Sequence, residues 1–350
     1  MKYLEGMQMA IQLKEIQYGT FGRCAQLTNG LVDVVATLDR GPRIIRYGYT
    51  GRENMFCEAP EQEGANGWRI LGGHRLWHSP ESMPRTYELD DKPVVMERIE
   101  GGIRLIQETE PHTLMAKEMD VILDDESSEV NVVHRIRNCG AWPVEFAVWA
   151  LSVMAPGGKE VVPMPQGSSG MVNNRTLSLW PYTRMNDERV WWGERYVVLQ
   201  QDPSMQPPFK FGINNEDGWA AYFNCNQVFV KQFIHEEGEE YPDGGASYET
   251  YTTDFMLEME SLSPLMTVHP GEEAEHMERW YLVDDIVAPE NHDDSIDEVM
   301  DELLGDCCDC EECCGCEDEG AFKDDEECYD EEDEEYEGDG FEEKDAEEDR

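Results

Sequence analysis

Residues 130–154 read VNVVHRIRNCGAWPVEFAVWALSVM. From Val130 to Asn138 the residues alternate with period two, so Val132, His134 and Ile136 fall on one face of an extended chain. Gly140 and Pro143 interrupt the run, and the β-branched and aromatic stretch EFAVWALSVM follows. Two strands are predicted here, and the same signature recurs in both directions. Upstream lie LVDVVATLD at 31–39, RIIRYGY after the Arg40-Gly41-Pro42 turn, and GIRLIQET from Gly102. Downstream come RYVVLQQ, FKFGI, WAAYFN, QVFVKQF, then DFMLEMES from Asp254 and HMERWYLV from His276. Between about Thr20 and Val283 a Gly, Pro, Asn or Asp breaks the chain roughly every eight to twelve residues, the pattern of an antiparallel sandwich or barrel. The expected class is therefore all-β.

One segment breaks the rule. DDSIDEVMDELLG, 293–305, places Ile296, Val299, Met300, Leu303 and Leu304 on a helical stripe, with Gly305 as its stop. The expected organisation is a β-sandwich domain over 1–292, a short helix over 293–305 and a disordered acidic, Cys-rich tail over 306–350. The tail has few apolar residues and cannot bury enough surface to offset the entropy of ordering. Its CCDCEECCGC stretch holds six cysteines in ten residues. It reads as low-complexity solvated chain, with weak zinc, copper or iron–sulfur binding as the alternative. The cysteines at 24, 57, 139 and 225 read as buried apolar thiols rather than disulfide partners.

The 350 residues carry a formal net charge of −50. Such a charge repels phosphates and anionic membranes, so neither nucleic acid nor a membrane is an expected partner. No apolar run approaches a membrane span, and the first residues lack a leader-like apolar core, so a cytoplasmic location is expected. Composition points to no cofactor and no resident metal, and does not bear on oligomeric state.

Chemistry-bearing residues concentrate in GWRILGGHRLWHSPESMPRTYELDD, from Gly67. Within twelve positions it supplies His74, Arg75, Trp77, His78, Glu81 and Arg85 after the Gly72-Gly73 pair. Buried His, Arg and Glu are costly unless paired, so the segment reads as a binding loop rather than packing. The stretches Glu58 to Asn66 and Ala155 to Asn174 are also expected to be loops. An aromatic platform beside hydrogen-bonding groups suits a sugar, and Trp77, Trp149, Trp180 and Tyr182 could supply the platform. In DFMLEMES, Asp254, Met256, Glu258 and Glu260 share one face, which either meets solvent or lines a cleft. Asp243 and Glu249 lie just before it.

Taken in order, Gly41 after an early strand, GGHRLW-x-x-PE, RIRN-x4-PVEFAVWALSV, the LE of MLEMES and HPGE before a final WYLV strand resemble the galactose-mutarotase-like (aldose 1-epimerase-like) superfamily. The closest likeness is to a branch carrying the GGHRLW-x-x-PE motif, and it spans about Thr20 to Val283. The resemblance implies a β-supersandwich with a sugar cleft on a concave face, where a carboxylate base and a histidine acid interconvert the anomers of an aldose. By position it implies Glu258 as base, His74 as a substrate-binding residue and Arg75 as a contact to a ligand hydroxyl or carboxylate; Trp77, Glu81, Trp149 and Asp243 join the expected substrate-binding set from the residues read above. Trp149 stands where the family places its acid histidine, and an indole cannot transfer that proton. His78 is then the first substitute and His134 the second. The expected partner is a small-molecule sugar, bound either by an epimerase-like enzyme or by a non-catalytic carbohydrate-binding module that has lost its acid. Either reading requires His74 and Glu258 to meet in one cleft.

Overall fold

A computed structural model describes residues 11–64, 67–167 and 169–305. The predicted tail, 306–350, with its seven cysteines, lies outside the described residues. Among the described residues the chain forms two antiparallel sheets, one of 12 strands and one of 10.

The larger sheet runs through Gln12–Gln17, Arg23–Thr28, Val32–Thr37, Ile44–Tyr49, Arg69–Ser79, Val144–Met154, Leu257–Leu262, Tyr248–Thr252, Phe209–Ile213 and Leu177–Leu179. Glu58–Glu63 pairs with Arg69–Ser79, and Met266–Val268 with Val144–Met154. The smaller sheet is ordered Val190–Trp192, Tyr196–Gln200, Lys159–Pro163, Trp219–Asn224, Gln227–Phe233, Glu273–Asp284, Val130–Asn138, Met115–Leu123, Gly102–Ile106 and Val95–Ile99. The sheets face each other across an apolar core centred on Tyr47, Phe56, Phe229 and Trp280, whose ring centroids lie 5.6–6.2 Å apart. Aromatic pairs at such spacing add to the burial term.

The helix occupies Asp293–Gly305, as its periodicity predicts. Ile296, Met300 and Leu303 pack on the outer face of the smaller sheet against Val161, Val198, Trp219 and Phe223. Asp293 accepts the backbone N–H groups of Glu194 and Arg195, which ties the start of the helix to the sheet. Among the described residues no helix is long and apolar enough to cross a membrane.

Cys24 and Cys57 are buried as expected, but Cys139 and Cys225 are exposed. Three predicted loops carry strands instead. Glu58–Glu63 is extended, and Lys159–Pro163 runs through the middle of the smaller sheet. The histidine segment is the 11-residue strand Arg69–Ser79, at the centre of the larger sheet. Its two glycines explain the misreading. Leu71, Gly72 and Gly73 all have positive φ, at 58°, 85° and 65°, so the chain kinks and then enters the sheet. A Cβ on Gly72 would sit 1.9 Å from the Cys57 carbonyl oxygen, and one on Gly73 2.3 Å from that of Ile44. The pair is there for close backbone approach, not for loop freedom.

Candidate functional site

A strand sends successive side chains to opposite faces, and this decides where the histidine segment puts its chemistry. Arg75 and Trp77 project from the outer face of the larger sheet, while His74, Leu76 and His78 turn inward between the sheets. The neighbouring strand divides in register. Trp149 and Leu151, opposite Trp77 and Arg75, share the outer face, and Ser152, opposite His74, points inward. The next strand adds Glu258 and Glu260, opposite Val153 and Leu151.

These rows floor a cavity of about 530 Å³, within the range of small-molecule sites. Its aromatic walls are tightly coupled. Trp68 and Trp77 lie 4.8 Å apart, Trp77 and Tyr87 5.0 Å, and Trp77 and Trp149 5.5 Å. The Arg75 guanidinium stacks 4.3 Å from the Trp77 ring centroid and 5.3 Å from that of Trp68. From there Arg75 Nη1 donates to Glu258 Oε1 at 2.8 Å. This is the one hydrogen bond of the Glu258 side chain among the described residues. Glu81 accepts the Tyr87 hydroxyl at the rim. Burial and Glu258 push the Tyr251 phenol up to about 12, so it stays a neutral donor on the wall.

On the far side Lys210 enters the cavity. Its Nζ pairs with Glu249 at 2.6 Å and Glu260 at 2.9 Å, and lies 4.5 Å from the Trp180 ring and 4.8 Å from that of Trp149. Trp149 Nε1 also donates to Glu260, at 3.1 Å. Burial raises the pKa of both carboxyls against the opposing pull of Lys210. Lys210 is itself held well above its ordinary value, because its two carboxylates outweigh desolvation.

Five predicted residues thus line one cavity: Arg75, Trp77, Glu81, Trp149 and Glu258. Trp180 and Tyr182 line it as well. Three do not. Asp243 sits in the turn after Tyr241, at φ 52°, and accepts from Ser79 Oγ at 3.3 Å, outside the lining. His74 and His78 are fully buried on the opposite side of their strand, so the expectation that His74 shares a cleft with Glu258 is overturned. His78 packs against Phe146, neither ring nitrogen has a partner, and burial holds its pKa well below the ordinary value. The predicted acid therefore has no path to a ligand on the outer face. Trp68, Tyr87, Tyr251 and Lys210 were not anticipated. Lys210 did leave a signal, as the single charge between two phenylalanines in FKFGI.

His74 belongs to a separate network between the sheets. His134 Nδ1 donates to the His276 carbonyl at 2.9 Å, leaving its Nε2 to accept the His74 Nε2–H at 2.7 Å. His74 Nδ1 then accepts the Ser152 hydroxyl at 2.8 Å. Glu278 accepts from Lys231 at 2.8 Å, Ser261 at 2.5 Å and Trp280 Nε1 at 2.8 Å. Desolvation holds the three histidines neutral, His134 and His276 at about 3 and His74 also well below its ordinary value. His74, His134 and Glu278 offer donor atoms within 4.8 Å of one another, as a metal would need. The Lys231 ammonium already neutralises that carboxylate, and the His74–His134 hydrogen bond closes the gap between the rings. The network is a satisfied polar core, a use the alternation of VNVVHRIRN suggests for His134.

No protein-family model matches the chain, and no curated protein matches it by sequence. Solved structures do share its fold. A candidate aldose 1-epimerase from Klebsiella pneumoniae superposes with a TM-score of 0.53 at 13% identity, covering 84% of this chain and 87% of that one. A galactose mutarotase-like protein from Lactobacillus casei gives 0.51 at 9% identity, over 74% and 100%. A TPR-domain containing protein from Parabacteroides distasonis gives 0.54 at 13% identity, over 76% and 48%, so this chain spans about half its length. The chain has the galactose-mutarotase-like fold. At these identities the likeness is one of fold.

Proposed function

We propose, with that fold as premise, that the chain binds a small-molecule sugar in the aromatic cavity of the larger sheet and interconverts the anomers of an aldose, with Glu258 as base. This revises the expectation that a sugar site needs His74 beside Glu258, since His74 faces the core; what carries the reading is instead a carboxylate held by Arg75 at 2.8 Å on the floor of a cavity walled by Trp68, Trp77, Tyr87 and Trp149. The C–H face of a pyranose packs on indole rings, while guanidinium and carboxylate groups fix its hydroxyls. Arg75 orients one oxygen of Glu258, so the other can take the proton of the anomeric hydroxyl. The reading needs no cofactor.

A second reading is a binding module without turnover. It is favoured by Trp149 at the position where the resemblance calls for a histidine, and by His74 and His78 facing the core. One measurement separates the two. Freshly dissolved α-anomers of several aldoses are followed by NMR with and without protein. Acceleration that disappears in Glu258→Gln supports the enzyme. Binding without acceleration, abolished by Trp77→Ala, supports the module. Failure of every aldose to bind or to shift the melting temperature refutes both.

A further inference from the structure

Opening a pyranose requires a proton on the ring oxygen as well as a base at the anomeric hydroxyl. Neither His74 nor His78 reaches the face on which Glu258 stands. The strand Phe209–Ile213 does. Phe209, Phe211 and Ile213 fill the core between the sheets, so Lys210 must point the other way, into the cavity. Register then sets its place. Lys210 is opposite Tyr251, and Tyr251 is opposite Glu258, so the three form one row across neighbouring strands. Two interstrand steps put the Lys210 and Glu258 backbones about 10 Å apart on the same face. Both side chains line the same cavity, with Tyr251 between them in the row.

Resting on the function proposed above, we propose that Lys210 is the proton donor to the sugar ring oxygen and that Glu249 resupplies it. An ammonium has three protons. Lys210 Nζ donates to Glu260 at 2.9 Å, pairs with Glu249 at 2.6 Å, and lies beside the rings of Trp149 and Trp180 on the cavity wall. Two carboxyls share this one cation in a site almost closed to water, which favours one of them keeping a proton. Glu260 accepts both Lys210 Nζ and Trp149 Nε1, whereas neither Glu249 oxygen has a hydrogen-bond partner, so Glu249 is the carboxyl to which the proposal gives the proton.

The step balances. Glu258 takes the proton of the anomeric hydroxyl as the carbonyl forms and the ring C–O bond breaks. The ring oxygen takes a proton from Lys210 Nζ, and Nζ takes one from Glu249. Reclosure on the other face of the carbonyl returns each proton. The other charged groups acting on Glu249 or Glu260 are Glu258, Arg75, Asp243, Glu160 and Lys231. Trp149 at the expected acid position is then explained, because its indole orients the carboxylate beside the acid.

The test is the anomer-exchange assay on the full chain, with Lys210→Arg, Glu249→Gln and Glu258→Gln. Arginine keeps the charge but does not give up a proton. Lys210→Arg is expected to lose about 100-fold or more in rate, with sugar affinity and melting temperature near wild type. Glu249→Gln is expected to lose about tenfold, together with the fall in rate that wild type shows as rising pH strips the reservoir proton. Wild-type rates in Lys210→Arg, beside an inactive Glu258→Gln, would overturn this assignment and leave the proposed function standing. No acceleration by wild type would overturn both. Should Lys210→Arg fail to fold, Lys210→Met with Glu249→Gln removes the cation and one anion together, and the same rate loss is expected.

Discussion

His134→Gln tests whether the network between the sheets is built from neutral histidines. In the folded chain burial holds His134 to about 3, against an unfolded value of about 6.5. Between these values the unfolded chain carries a proton that the folded chain does not, so stability at this site falls as pH falls. The loss begins near pH 6.5 and is complete near 3, at about 1.4 kcal/mol per pH unit. By about pH 5 it amounts to about 2 kcal/mol. Lys231, His74, His276 and Glu278 surround the ring, and His74 and His276 act in the same direction. Glu160 acts against them. Burial pushes its carboxyl up to about 8, so the folded state gains a proton, and stability, as pH falls from there toward the unfolded value. The wild-type curve is therefore a sum of opposing slopes, and the difference from the variant is what isolates His134. A glutamine can accept the His74 N–H but leaves the His276 carbonyl without its donor, costing about 1–3 kcal/mol at neutral pH. The variant does not pay the protonation cost. Urea unfolding followed by tryptophan fluorescence should show a gap of about 1–3 kcal/mol near pH 7.5 that closes or reverses near pH 5. A gap independent of pH would mean that the His134 ring is not held neutral, and would refute the reasoning.

Two further outcomes follow from packing. Lys231→Met leaves the Glu278 carboxylate buried without its cation and should cost about 3–5 kcal/mol in chemical denaturation, part of it recovered by adding Glu278→Gln. Gly73→Ala drives a Cβ to 2.3 Å from the Ile44 carbonyl oxygen at φ 65° and should cost about 2–4 kcal/mol. Gly51→Ala, also at positive φ but with open space around it, should cost about 1 kcal/mol by the same measurement.

Much of the fold was legible because local periodicity and burial agree. FKFGI, WAAYFN, QVFVKQF and VNVVHRIRN are strands at the residues where the pattern begins and ends, and the helix follows its stripe. The histidine segment was not legible. Charged residues after a glycine pair mimic a loop, because the sheet contacts that neutralise them come from distant chain. Arg75 is paired by a residue 183 positions away, and His74 by one 60 positions away.

By composition and period alone, this sequence establishes an acidic, antiparallel all-β body with one short amphipathic helix, since each depends only on near neighbours along the chain. It also gathers His74, Arg75, Trp77, His78 and Glu81 in one segment and puts Glu258 and Glu260 on one face of a later strand. Which of them meet is a property of register. A strand divides its residues between two faces, and only the pairing of remote strands decides which face becomes a cavity and which a core. That division gave Arg75 and Trp77 to the cavity and His74 and His78 to the interior, and brought Lys210 into line with Glu258.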